Sequence, residues 1–355
     1  MRAVPRRDLP RGSRRRGRLA AALGLALTAT VTAAPGALAA PGRTTLCTIT
    51  DPRIAESSGL AAAGSSLYTV NDGGTRLRVF VLDRACRVRR EILNPLDPYD
   101  VEDLARGLDG SLWLSDTGDN NGSRETVALE RLTESGEATL YRFTYPDGAH
   151  DAEALLLEHS GLPYLVTKEP LSAGVYTPTR APSTDRSTPL RRVATLTFNP
   201  TGTPGGPVGT ASQIVVTGGA VSPDGSRLAL RTYTDAYLWN VPDGDIGEAF
   251  ASGPTRRIPL PATRQGEAIT FSADGRALLT STEGVPAPVH SITVGAPARP
   301  SASATPKPTA SGTATARPSG SSAESPSGFR GAAVGALLGA GLVLCAARLL
   351  SALRR

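Results

Sequence analysis

Apolar and polar positions along this chain fall into one pattern that returns five times. Each copy opens on a small or acidic residue, runs through a brief apolar strand and a turn, and closes with a second strand ending in polar residues. The copies read SSGLAAAGSSLYTVND (57–72), EDLARGLDGSLWLSDTGD (102–119), EALLLEHSGLPYLVTKE (153–169), TGGAVSPDGSRLALRTYTD (217–235) and EAITFSADGRALLTSTEG (267–284). Aligned on their turns, Ser57, Glu102, Glu153, Thr217 and Glu267 share one register, at steps of 45, 51, 64 and 50 residues. A period of this size with two strands and a turn per copy predicts an all-β fold, a β-propeller. Asp109-Gly110, Asp224-Gly225 and Asp274-Gly275 supply tight turns inside three copies.

Further alternating runs complete four-strand units. RLRVFVLD (76–83) and RVRREIL (87–93) follow the first copy; TVALERL (126–132) and ATLYRFTY (138–145) follow the second. The longest interval holds a Pro/Thr/Gly-rich stretch, 177–213, which reads as a loop insertion or as a piece of a sixth blade. After the fifth copy only PVHSITV (288–294) remains, so TTLCTIT (44–50) is placed to supply the last outer strand and close the ring. The expectation is five blades over residues 40–295, with six as the alternative.

The two ends change the picture. Residues 1–39 carry an Arg-rich start, an apolar run from Leu19 and an Ala37-Leu38-Ala39 site, the form of a signal peptide for export. The Sec and Tat routes both stay open. Residues 296–328 are nearly all Ala, Pro, Ser, Thr and Gly, a composition that cannot bury a core and reads as a stalk. Gly331–Ala347 is apolar and would span about 26 Å as a helix, enough for a bilayer core. The expected organisation is therefore a transmembrane helix at 329–350 and a basic cytoplasmic tail at 351–355, with the propeller outside the cell membrane. Gly331, Gly335 and Gly339 lie on one helix face and would allow helix pairing, or reflect an Ala/Gly-rich span by chance. Abundant Arg and Ala beside two lysines fit an actinobacterial, high-GC source. In an exported domain Cys47 and Cys86 are expected to form a disulfide.

Charge excludes one class of partner. Residues 1–39 have a net charge of +7, but 40–295 hold 23 Arg and Lys against 30 Asp and Glu, a net of −7. An acidic folded region argues against nucleic acid, which needs clustered cations. Antiparallel pairing puts the first position of each first strand and the last positions of each second strand on one face. Glu102, Glu153, Glu267, Asp72 and Asp116 should thus crowd an acidic channel mouth, with Asp100 and Asp151 just before their strands. Oxygen-rich, His-poor clusters suit hard cations, and Ca2+ is the expected cofactor. The competing reading is that each glutamate accepts backbone N–H bonds that tie neighbouring blades. Lys168 and Arg231 are the two cations at the mouth and the candidate ligand contacts. His150, beside Asp151, is the sole candidate general base, with a surface turn as its other reading.

SPDGSRLAL (222–230) with YLWN (237–240) resembles a blade of the WD-repeat propellers. The phrases around Asp100-Val101-Glu102 and Asp151-Ala152-Glu153, with Gly118-Asp119-Asn120, look more like secreted actinobacterial propellers near the esterase-like phytases. That resemblance implies metal-assisted hydrolysis of a phosphate ester or ester at the mouth. Three functions follow as expectations: a surface-anchored binder of a divalent cation and a small polar or peptide ligand; a Ca2+-dependent hydrolase of phytase, esterase or lactonase type; or a metal-free scaffold for a surface protein.

Overall fold

The structure is a computed structural model, and it describes residues 42–296. Among these residues the fold is all-β and propeller-like, with one short α-helix. After β1 (Arg43–Ile49) the chain makes antiparallel meanders. The first is β2 (Ser57–Ala63), β3 (Ser66–Asn71), β4 (Leu77–Leu82) and β5 (Val88–Asn94). The second is β6 (Val101–Arg106), β7 (Leu112–Asp116), β8 (Val127–Leu132) and β9 (Ala138–Thr144). The third is β10 (Ala152–Leu157), β11 (Pro163–Thr167), β12 (Ala173–Pro178) and β13 (Thr188–Leu196). The fourth is β14 (Val216–Val221), β15 (Arg227–Thr232), β16 (Asp235–Asn240) and β17 (Arg256–Pro259), with α1 (Ile246–Ala251) between its last two strands. Finally β18 (Ile269–Phe271), β19 (Ala277–Thr280) and β20 (Ala287–Thr293) are completed by β1, in the order β1-β20-β19-β18. The second and third meanders join into one eight-stranded sheet through a short parallel contact of β13 with β9.

The first strands of successive meanders pack on one another: β2 on β6, β6 on β10, β10 on β14, β14 on β18, and β18 back on β2. Apolar clusters fill the spaces between adjacent sheets. Leu77, Val79 and Val101 belong to one; Leu228, Leu230 and Val175 to another. The Asp-Gly turns form as their chemistry requires, with Gly110, Gly225 and Gly275 at φ 86°, 71° and 69°. The stretch 177–213 contributes β13, the outer strand of the third meander, and then a loop and a 3-10 turn (Gly209–Gln213). The segment 44–50 closes the last sheet, Arg43 pairing with Ile292 and Ile49 with Ala287. Cys47 and Cys86 form a disulfide that links this closing strand to the first meander.

No helix among the described residues is long and apolar enough to cross a membrane. The expected signal segment, stalk, transmembrane helix and tail, with Gly331, Gly335 and Gly339, lie outside the described residues.

Candidate functional site

Bulges at the start of the first strands aim the site. On β6 the pairing passes from Val101↔Asp116 to Asp103↔Ser115 and skips Glu102. On β10 it passes from Ala152↔Thr167 to Ala154↔Val166 and skips Glu153. On β14 it passes from Val216↔Thr232 to Gly218↔Arg231 and skips Thr217. A bulged residue drops out of the ladder, and its side chain is redirected. Three of the five repeat-register residues are therefore the bulged ones.

Two overlapping groups of carboxylates result: Asp72, Asp100 and Glu102, and Glu102, Asp151 and Glu153. Within each group the potential ligand atoms all lie within 4.8 Å of one another, so these buried clusters could hold a metal ion. Crowding and burial act on their protons. Burial, then the charge of Asp72, pushes the Asp100 carboxyl up to about 8. Burial and the Glu153 charge hold Glu102 well above the usual range. Burial raises Asp151, against the pull of Lys168. Burial likewise lifts Glu153 to about 8, although the Lys168 ammonium sits on its Oε1. Burial works against the charge on Lys168, but Glu153 and Asp151 more than offset it and keep the ammonium protonated. Glu153 Oε2 is buried and has no hydrogen-bond partner.

The other sequence candidates lie elsewhere. Glu267 is in neither group; burial and the neighbouring Glu283 raise its carboxyl well above the usual range. Asp116 turns away from the cluster: it accepts from the N–H groups of Tyr99 (3.1 Å) and Asp100 (2.9 Å) and pairs with Arg124 at 2.9 Å. In doing so it fixes the loop that presents Asp100. Arg231 is 1% exposed, and its guanidinium donates to the carbonyls of Ala268 (2.8 Å), Ser281 (3.1 Å), Thr232 (3.2 Å) and Tyr233 (3.4 Å). It ties β15 to the last sheet, so its donors are occupied. His150 Nδ1 lies 2.6 Å from Glu169 and Nε2 lies 3.0 Å from Asp147. The Glu169 hydrogen bond raises the imidazole pKa despite burial, which favours imidazolium over a free base.

Sequence reasoning missed one residue and the role of another. Asp103 is fully buried and accepts the N–H groups of Leu104 (2.8 Å), Leu155 (2.9 Å) and Gly219 (3.1 Å), so one carboxylate binds β6, β10 and β14 together. The tie expected of the glutamates is made by their neighbour. Gly118 is the other: a Cβ there would overlap Glu102 Oε1 and Asp100, so the backbone passes against the carboxylates only because the residue is glycine.

No family model and no curated protein sequence matches the chain. Solved structures do show likeness, and they include propeller proteins. A luciferin-regenerating enzyme aligns at 11% identity and TM-score 0.42, over 71% of this chain and 95% of that one. A gluconolactonase from Xanthomonas campestris aligns at 16% and 0.40, over 72% and 81%. The β-propeller domain of Swd1 from Myceliophteria thermophila aligns at 12% and 0.39, over 70% and 99%. At such identities and TM-scores the likeness assigns no activity to this chain.

Proposed function

We propose that the four-strand units are the blades of a five-bladed ring, that its mouth binds a divalent cation, and that a small polar or peptide ligand is held over that cation. The observation that carries this reading is Glu153 Oε2, a buried carboxylate oxygen with no partner, beside Glu102 and Asp151. An orphaned buried carboxylate oxygen is costly to leave unmatched. Burial raises the carboxyls of Asp100, Glu102, Asp151 and Glu153 above the usual range, and a divalent ion would favour their charged forms. The donor set is all oxygen and supports Ca2+ or Mg2+, with Ca2+ better suited to an irregular ring of ligands. Metal ligands would be Asp72, Asp100, Glu102, Asp151 and Glu153. Lys168 would meet an anionic or polar group of the ligand.

This binding reading takes precedence over hydrolysis because both ring nitrogens of His150 are engaged by carboxylates, Nδ1 by Glu169 and Nε2 by Asp147, and it belongs to neither carboxylate group. Export by residues 1–39 and anchoring by 329–350 remain part of the proposal. Cell fractionation of the full chain, with protease added from outside, tests them: a domain resistant in intact cells and recovered in the soluble fraction removes both.

Calorimetric titration of Ca2+ and Mg2+ into the full chain tests the metal. Saturable binding lost in Glu102→Gln and kept in Glu267→Gln is the expected result. A silent titration, or equal binding by Glu102→Gln, removes the metal from the proposal.

A further inference from the structure

We propose a second binding site, remote from the acidic mouth: a groove between the third and fourth meanders that receives the chain's own proline-rich segment, residues 297–323. The groove has a volume of about 610 Å³. Phe198, Tyr237, Trp239 and Phe250 line it, with Asn199 and Pro254. The rings form one aromatic wall, Phe198 to Tyr237 at 4.8 Å between centroids and Trp239 edge-on to Phe250 at 5.4 Å. Trp239 is 2% exposed, and its indole N–H is buried without a hydrogen-bond partner. An aromatic groove with an unmatched indole donor fits an extended proline-rich strand. Such a strand makes no internal hydrogen bonds, so its carbonyls are free to accept.

Three observations single out this chain's own segment as the occupant. The first is where the described chain ends. The Gly295 carbonyl is held by Arg227 Nη1 at 3.1 Å, and Arg227 pairs across the ladder with Asn240, the residue after Trp239. The chain therefore leaves the fold beside the strand that carries the groove. The second is length. After residue 296 there are 59 residues, and an extended proline-rich run covers about 3.1 Å per residue, ample to pass around one sheet. The third is charge. Residues 297–323 contain Arg299, Lys307 and Arg317 and no acidic residue, and each of these cations precedes a proline. The segment at the groove's lower end, 241–255, contains Asp243, Asp245 and Glu248, all exposed, and no cation. Arg257, which also lines the groove, has its charge engaged by Asp235 Oδ1 at 2.6 Å.

Hydrogen exchange on the full chain, compared with the same chain lacking residues 297–323, tests the assignment. Deletion should speed exchange at 198–201 and 246–254 and leave β6 and β10 unchanged. A synthetic peptide of residues 297–318 should bind the deleted chain and restore the slow exchange. Trp239→Phe keeps an aromatic side chain but removes the indole N–H together with its five-membered ring, and should weaken peptide binding by roughly fivefold. Asp243→Lys with Glu248→Lys, at exposed sites that leave the core intact, should weaken binding further and remove its salt dependence. No change on deletion, with or without peptide binding in trans, overturns self-docking. Equal peptide affinity for the parent, Trp239→Phe and charge-reversed chains overturns the site.

Discussion

The second and third meanders and the fourth use the same bulge for opposite purposes. On β6 and β10 the bulged residues are Glu102 and Glu153, buried among other carboxylates with a single lysine for company. On β14 the bulged residue is Thr217, whose hydroxyl donates to the Gly266 carbonyl at 3.0 Å, and the paired strand carries Arg231 with its donors filled by carbonyls. The first meander resembles the fourth, Ser57 exchanging hydrogen bonds with Thr69 (2.9 Å) and Ser281 (2.8 Å). A small hydroxyl is therefore enough to satisfy this position in the fold. The joint between sheets, the competing reading for the glutamates, is made by Asp103.

The comparison can be broken at Asp103 first. Asp103→Ala leaves three buried N–H groups on three strands without an acceptor and should destabilise the domain by about 3–5 kcal/mol, read from denaturant midpoints. Arg231→Met fills similar volume but strips several carbonyls of their donor. It should destabilise by about 2 kcal/mol while leaving cation binding intact by calorimetry.

A pH series separates the two sides without mutation. Burial pushes the Asp100 and Glu153 carboxyls up to about 8 in the folded state, and Asp103 up to about 7 because burial outweighs its three N–H donors. The folded state thus binds more protons than the unfolded across that window, so metal-free stability falls as pH rises from about 5 to about 8. Saturating Ca2+ should flatten that slope. A metal-free chain that gains stability over the same window would show that the carboxylates are ionised and matched. The smallest effect is expected from Glu102→Gln: a change within about 1 kcal/mol in the metal-free melt, because a carboxyl whose neutral form burial already favours is replaced by a neutral amide of the same shape. Its loss of the Ca2+-induced melting shift should be complete.

Much of the architecture was legible because it rests on local chemistry repeated at intervals. The Asp-Gly turns, the strand at 227–232, the closing segment at 44–50 and the Cys47–Cys86 pair follow from alternation, turn residues and spacing. The site was legible only in outline. A bulge shifts the alternation by one residue without a sequence mark, so Glu102 and Asp103 look interchangeable, yet one points to the mouth and the other into the joint. Asp116 and Arg231 have the right register, but partners that the repeat does not mark, Arg124 in the following loop and the carbonyls of the next sheet, take them out of the cluster. The helix α1 carries no repeat signal, and its N-cap, Asp245 accepting from Glu248 at 2.9 Å, is read only with hindsight.

The seam where β1 meets β20 also decides how this molecule would answer a pull. The two strands are antiparallel, and the chain enters and leaves at the same end of the pair, with Thr293 N–H donating to the Gly42 carbonyl at 3.0 Å. Force applied between the two exits would peel the pair open one rung at a time, the weakest way to load a ladder, instead of shearing all rungs together. Cys47 lies a few rungs in, bonded to Cys86 on the neighbouring sheet. An oxidised chain would stop peeling there and pass the load through the disulfide into the first meander. A reduced chain would have no such stop, and the whole closing strand would come away as a tether.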